Sequence, residues 1–301
     1  MRKVVLMLVG VLLLFATSAA AETHSFVVME SVTARAHGMA GAVTASAQGP
    51  DAFYYNPAGA ARGNLGVVLS SGGVGLDDLS AAIDLLSKSP GKLEEREKLG
   101  SLAAIQVGNL ALGITTYGDL GPQGGDLTRE VGVALARQLV DMPLQIAEAS
   151  VGVAVKQIKE MDVDQGGRVD ERDQYFAVDL GTQVQLTPWI RVGGLWKNAV
   201  TTSDVASSWQ LGGALTFDLV GLALTLDYDS RQNLRYGVEK GAMLGLLTLR
   251  AGYVVSGDDQ EPNKITGGLG LNAGPVRLEG ALGSDDGFHS FDASVAVRFG
   301  F

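Results

Sequence analysis

Ala293, Val295, Val297, Phe299 and Phe301 put an apolar residue at every second position of the chain's end, with Asp292, Ser294, Ala296, Arg298 and Gly300 between them. Successive side chains of a strand point to opposite faces, so this is a strand with one oily and one wet face, closed by an aromatic residue. The same pattern recurs upstream. Phe176, Val178, Leu180, Thr182, Val184 and Leu186 alternate with Ala177, Asp179, Gly181, Gln183 and Gln185, and Leu222, Leu224, Leu226 and Tyr228 with Ala223, Thr225, Asp227 and Asp229. Leu247, Leu249, Ala251, Tyr253 and Val255 repeat it. Apolar residues are 46% of the chain, yet no long apolar run follows Phe15. Hydrophobicity dispersed over stretches of roughly ten residues is how strands that cross a bilayer at barrel tilt are written.

The other end of the chain carries an export signal over residues 1–21. Arg2 and Lys3 supply its positive part, Val4 to Phe15 its apolar run, and Ala19-Ala20-Ala21 the small residues of a cleavage site, with Glu22 as the expected mature N-terminus. The run is shorter than the roughly 20 residues a spanning helix needs. Export joined to alternating strands points to the outer membrane of a Gram-negative-type cell. Outer-membrane lipid is then one partner, and the barrel-assembly machinery another, with Phe299 and Phe301 as its insertion signal. There is no Cys, which excludes an acylated lipoprotein and a disulfide scaffold. The formal charge is −10, and loss of Arg2 and Lys3 with the leader makes it −12, so nucleic acid is not an expected partner.

Fourteen alternating segments fall within residues 65–301, the even number that single-chain bacterial barrels have. The fold class expected is all-β, a transmembrane antiparallel β-barrel of about 14 strands with an N-terminal plug in its lumen. Gly108-Asn109, Thr187-Pro188, Leu219 to Gly221 and Ala273-Gly274 have the form of tight inner turns. Gly118 to Asp126, Glu160 to Asp173, Ala199 to Ser207, Gly257 to Asn263 and Gly283 to Gly287 have the form of longer outer loops, while Val140 to Gln145 is lengthy for an inner turn.

Two segments stand outside the alternation. In the first outer loop, at about 72–100, Leu76, Leu79, Ile83 and Leu86 recur at helical spacing, with Asp77 as N-cap and Pro90 as stop. The other, residues 22–64, is too rich in small residues and too irregular for barrel wall, and its Asp51 is placed to cap a short helical turn that Pro57 ends. Here Ala34-Arg-Ala-His-Gly-Met-Ala-Gly-Ala-Val, followed by Asp51-Ala-Phe-Tyr-Tyr-Asn-Pro-Ala-Gly, resembles the N-terminal signature of the outer-membrane long-chain fatty-acid transporter superfamily, the FadL-like proteins. PorV-type secretion proteins and TraF-like barrels share that signature. The resemblance covers roughly Ser31 to Ala60 and the final strand closely and the rest in layout. It implies a lumen closed by residues 22–64 as a hatch, with Asn56, Pro57 and Ala58 as its motif, and an exit sideways through a strand irregularity. Gly193-Gly194, Gly212-Gly213 and Gly267-Gly268 are places where this chain has room to bulge.

A hydrophobic small molecule crossing the outer membrane needs an apolar foothold, because each methylene held in water costs about 0.8 kcal/mol. Leu76, Leu79, Ile83 and Leu86 are the candidate foothold outside, and Phe53, Tyr54 and Tyr55 the candidate ligand contacts of the plug. Arg35 is the plug's candidate functional cation. Alternation turns Lys156, Arg191, Lys197, Arg235, Arg250, Arg277 and Arg298 to the lumen with Glu130, Asp179, Asp227, Glu239 and Glu279, a mixture that reads as ion pairs between neighbouring strands. The three His form no Ser-His constellation, and the faint calcium-loop pattern Asp162-Val-Asp164-Gln-Gly-Gly lacks its Glu. The chain is therefore expected to be no enzyme and to hold no cofactor or metal. Two functions fit: a plug-gated channel for compounds such as long-chain fatty acids, or a PorV-like or TraF-like barrel serving a secretion-system protein or envelope assembly.

Overall fold

The computed structural model describes residues 32–74, 97–121, 123–141, 148–165, 167–257, 262–285 and 291–300. Its strands are β1 (Gly66–Val74), β2 (Glu97–Val107), β3 (Leu110–Gly121), β4 (Gly124–Asp141), β5 (Glu148–Val163), β6 (Val169–Gln185) and β7 (Ile190–Thr201). They continue as β8 (Ser208–Phe217), β9 (Leu222–Asp229), β10 (Leu234–Ala242), β11 (Leu247–Val255), β12 (Lys264–Ala273), β13 (Val276–Asp285) and β14 (Phe291–Gly300). Each pairs antiparallel with its sequence neighbour, and β1 closes on β14 with Val67 opposite Phe299. The ring of fourteen has no open edge, which is what lets a sheet satisfy its backbone in lipid.

Alternation decides the two faces. On β9, Leu224, Leu226 and Tyr228 are exposed while Thr225, Asp227 and Asp229 are buried, and on β6 Phe176 and Leu180 face out while Ala177, Asp179 and Gln183 face in. Apolar outside and polar inside inverts the arrangement of a water-soluble sheet and suits a wall set in hydrocarbon. The tight turns gather at one end, where Gly108, Gly221 and Gly274 take φ of +58°, +59° and +63°, the left-handed region that glycine enters without a Cβ penalty.

Two expected loops are strand instead. Gly118 to Asp126 continues the β3–β4 ladder to Gly121 opposite Gly124, and Glu160 to Asp173 continues β5 and β6 to Val163 opposite Val169. β4, β5 and β6 thus run 18, 16 and 17 residues, well past the roughly 9–11 that span a bilayer. Beyond the lipid both faces of a strand meet water, so the ladder goes on without an apolar face and charged side chains pair across it. Arg172 reaches Asp126, Glu160 and Asp162 there, and Asp164 accepts the Arg168 backbone N–H, so the faint calcium pattern is a hairpin end.

The glycine pairs are not bulges. Gly193 lies opposite Gly212 in an unbroken β7–β8 ladder, and Gly267 and Gly268 lie opposite Leu282 and Ala281. The wall instead shifts register in the β1–β14, β4–β5, β5–β6 and β6–β7 pairs, the last at Val178/Leu180, where Asn198 takes φ +51° and its N–H donates to Asp179 Oδ1 at 2.9 Å.

Residues 32–64 form two short helices, Ala34–Gly38 and Ala52–Tyr55, and a 3₁₀ turn, Pro57–Arg62. The first helix packs on β11 to β14, the second on β3 and β4, and the 3₁₀ turn on β4, β5 and β6. One segment thereby touches widely separated arcs of the ring along its polar inner face. The expected leader 1–21, the expected foothold Leu76, Leu79, Ile83 and Leu86, residues 142–147 and Phe301 lie outside the described residues. Phe299 sits on β14 among the outward residues, opposite Val67 and Val276.

Candidate functional site

Asn56, Pro57 and Ala58 sit where the inner segment meets β5, β6 and β7. Asn56 Oδ1 accepts the Ala58 N–H at 3.1 Å and so caps the 3₁₀ turn, with Pro57 at its first position, where a missing N–H costs nothing. Asn56 Nδ2 donates to the carbonyls of Thr44 at 2.9 Å, Thr182 at 3.1 Å and Gly194 at 3.4 Å. A single buried amide therefore joins two parts of the inner segment to two wall strands. The wall makes room by omitting side chains: a Cβ on Gly152 would overlap Pro57 and Ala58, and one on Gly181 would overlap Asn56.

Phe53, Tyr54 and Tyr55 are buried. Phe53 lies over Gly113 of β3, where a Cβ would overlap its ring. Tyr54 packs edge-on to Tyr55 and Tyr117, with centroids 5.1 and 6.2 Å apart, and Lys197 Nζ stands 3.6 Å over its ring. The Tyr55 hydroxyl accepts the Thr33 N–H at 3.1 Å, and burial pushes its phenol pKa above the ordinary value.

The expected ionic mixture resolves into pairs. Lys156 Nζ, fully buried, lies 2.9 Å from Glu130 and 2.8 Å from Asp179, and the Tyr117 hydroxyl donates to Glu130 at 2.7 Å. Arg250 bridges Glu239 and Glu279 at 2.7 and 2.8 Å, and Arg235 pairs with Asp229 at 2.8 Å. Three pairs tie the inner segment to the wall, one of them Arg62 with Glu148 of β5 at 2.9 Å. Arg35 Nε donates to Glu239 at 3.2 Å; burial disfavours its charge, but Glu239 and Asp51 outweigh that and hold its pKa above the ordinary guanidinium value. Asp51 pairs with Arg298 of β14, itself paired with Glu279. Asp51 makes no side-chain capping bond to the helix it precedes; the carboxylate expected to cap is drawn to the guanidinium, a stronger partner than an amide.

Sequence reading missed several residues. Thr44 N–H donates to Asp227 at 2.8 Å, Gln183 Nε2 to the carbonyls of Thr44 and Ala47 at 3.2 and 2.9 Å, and Gln106 Nε2 to that of Ala60 at 2.8 Å. His37 Nδ1 lies 2.8 Å from Ser294 Oγ. Polar residues at inward positions of alternating strands were the available signal; their partners were not.

No protein-family model and no curated protein sequence matches the chain. Solved structures do match. The CymD monoaromatic hydrocarbon channel aligns at TM-score 0.59 and 12% identity over 92% of this chain and 99% of its own. The P. putida toluene transporter TodX aligns at 0.56 and 11% over 91% and 99%, and a Pseudomonas aeruginosa FadL homologue at 0.54 and 10% over 90% and 99%. The fold is that of the FadL-like channels. At such identity the likeness is one of architecture, and the chemistry of the site has to be argued from this chain's own residues.

Proposed function

We propose that this protein is an outer-membrane channel for hydrophobic compounds, long-chain fatty acids and hydrocarbons among them, and that residues 22–64 are the plug that gates it. The observation that carries the reading is the way Val32–Asn64 is held inside the ring: hydrogen bonds and a few ion pairs tie it to the wall, Val32, Met39, Phe53 and Tyr54 pack in one apolar cluster with Leu102, Ala111, Tyr117 and Ala134, and Gly113, Gly152, Gly181 and Gly193 make room for it. The polar contacts can exchange with water as the segment shifts, and the apolar cluster sets the cost of that shift. Residues 1–21 act as a cleaved leader, and Phe299 and Phe301 as the insertion signal. Leu76, Leu79, Ile83 and Leu86 collect substrate outside, and Phe53, Tyr54 and Tyr55 contact it as the plug moves. The structural likeness to hydrocarbon channels supports the substrate class.

The test is uptake of radiolabelled oleate and toluene by outer-membrane vesicles with and without the protein, against a hydrophilic solute of similar size. The channel reading expects faster uptake of the hydrophobic pair alone; equal acceleration of all three contradicts it. One observation favours the second reading, a barrel serving secretion or assembly: the outer ends of β4, β5 and β6 form a charged ledge suited to a protein partner. That reading expects a stoichiometric protein complex in mild detergent and no uptake.

A further inference from the structure

A cavity of about 400 Å³ opens at the tight-turn end of the barrel, between the inner segment and the ends of β1, β12, β13 and β14. Among the described residues Arg35, Arg62, Arg277 and Arg298 line it, and no Asp or Glu does. Carboxylates stand behind three of the four. Arg35, Arg250 and Arg298 are matched by Glu239, Glu279 and Asp51, a network with no charge left over. Arg277 is left over, since among the described residues it makes no ion pair and no hydrogen bond. Arg62 is partly satisfied: its Nη2 pairs with Glu148 at 2.9 Å, while its Nη1 is buried with no hydrogen-bond partner among the described residues. In a chain of net charge −10, a concave wall that presents guanidiniums, with their carboxylates set behind it, draws anions in.

We propose that this cavity is a binding site for a small organic carboxylate, with Arg277 and Arg62 as its donors. A guanidinium presents parallel N–H bonds that match the two oxygens of a carboxylate, and Arg62 Nη1 gains the hydrogen bond it lacks. Pro50, Leu65 and Pro275, which also line the cavity, give the ligand's body an apolar wall. The volume is at the low end for small-molecule pockets, so the body is a single ring or a short chain and not a long acyl tail. The site does not depend on the channel reading, because a barrel whose lumen never opens would carry it equally.

Isothermal titration of the purified full-length protein in non-ionic detergent, with benzoate, benzyl alcohol and inorganic phosphate as probes, tests it. Benzoate is expected to bind saturably at one site and benzyl alcohol at least about tenfold more weakly, the margin of one charge-assisted contact. Arg277→Gln should weaken benzoate about tenfold with the heat-modifiable gel mobility of the folded barrel unchanged, and Arg62→Gln should do so independently. Equal binding of benzoate and benzyl alcohol, or undiminished benzoate binding in the double variant, would overturn the proposal. Phosphate binding as tightly as benzoate would overturn the organic-carboxylate assignment in favour of a free oxyanion site.

Discussion

Asn56 uses both ends of its amide, one to cap the turn that follows and the other to hold carbonyls of the inner segment and the wall. Asn56→Ala removes those bonds and leaves buried carbonyls unpaired, at about 1–3 kcal/mol. The barrel should still assemble, and its single-channel conductance in planar bilayers should rise; an unchanged conductance with an intact fold would show that Asn56 does not hold the plug. Lys156 differs, because it belongs to the wall. Lys156→Met leaves Glu130 and Asp179 buried together without their cation, which costs about 3–5 kcal/mol. Urea unfolding followed by gel mobility should register that loss, and adding Glu130→Gln and Asp179→Asn should recover most of it. If the triple variant is no more stable than Lys156→Met alone, the loss has another origin.

Among the elements, the wall glycines are what let the inner segment seat. Gly181→Val and Gly152→Val place side chains where Asn56, Pro57 and Ala58 lie, so each should push the segment off the wall and open the barrel to ions, measurable as conductance above that of Asn56→Ala. Outside the lipid, Arg172→Ala should matter little. Its three carboxylate contacts are exposed, and such pairs contribute about 0–1 kcal/mol each; urea unfolding of this variant should fall within that margin. These elements also mark how far the sequence is legible. Alternation delimited fourteen strands because the lipid demands an apolar residue at every second position, as at Leu224, Leu226 and Tyr228. It ended β3 to β6 too early, because past the bilayer Asp126, Glu160 and Arg172 satisfy a strand as readily as a loop. The glycines were legible as gaps but not by purpose: Gly193 and Gly212 admit Thr44 and Ala45, a partner distant in sequence that no local pattern names. Likewise Asp51 stands where a cap belongs, and only the closed ring brings Arg298 to it.

At the scale of the molecule, the wall is a closed ring and the inner segment is attached to it piecemeal, so the proposed passage through the barrel requires movement of the segment. Met39 of that segment and Gly237 of β10 offer a direct test, since a Cβ built on Gly237 lies 3.1 Å from the Met39 Cβ, close to the roughly 3.5–4.5 Å of a disulfide. The chain has no other Cys to interfere. Uptake of radiolabelled oleate and toluene should be measured in vesicles carrying Met39→Cys/Gly237→Cys, oxidised and then reduced, with bridge formation checked by mass. A moving plug predicts that oxidation stops uptake and reduction restores it; equal uptake in both states, with the bridge formed, would contradict the account.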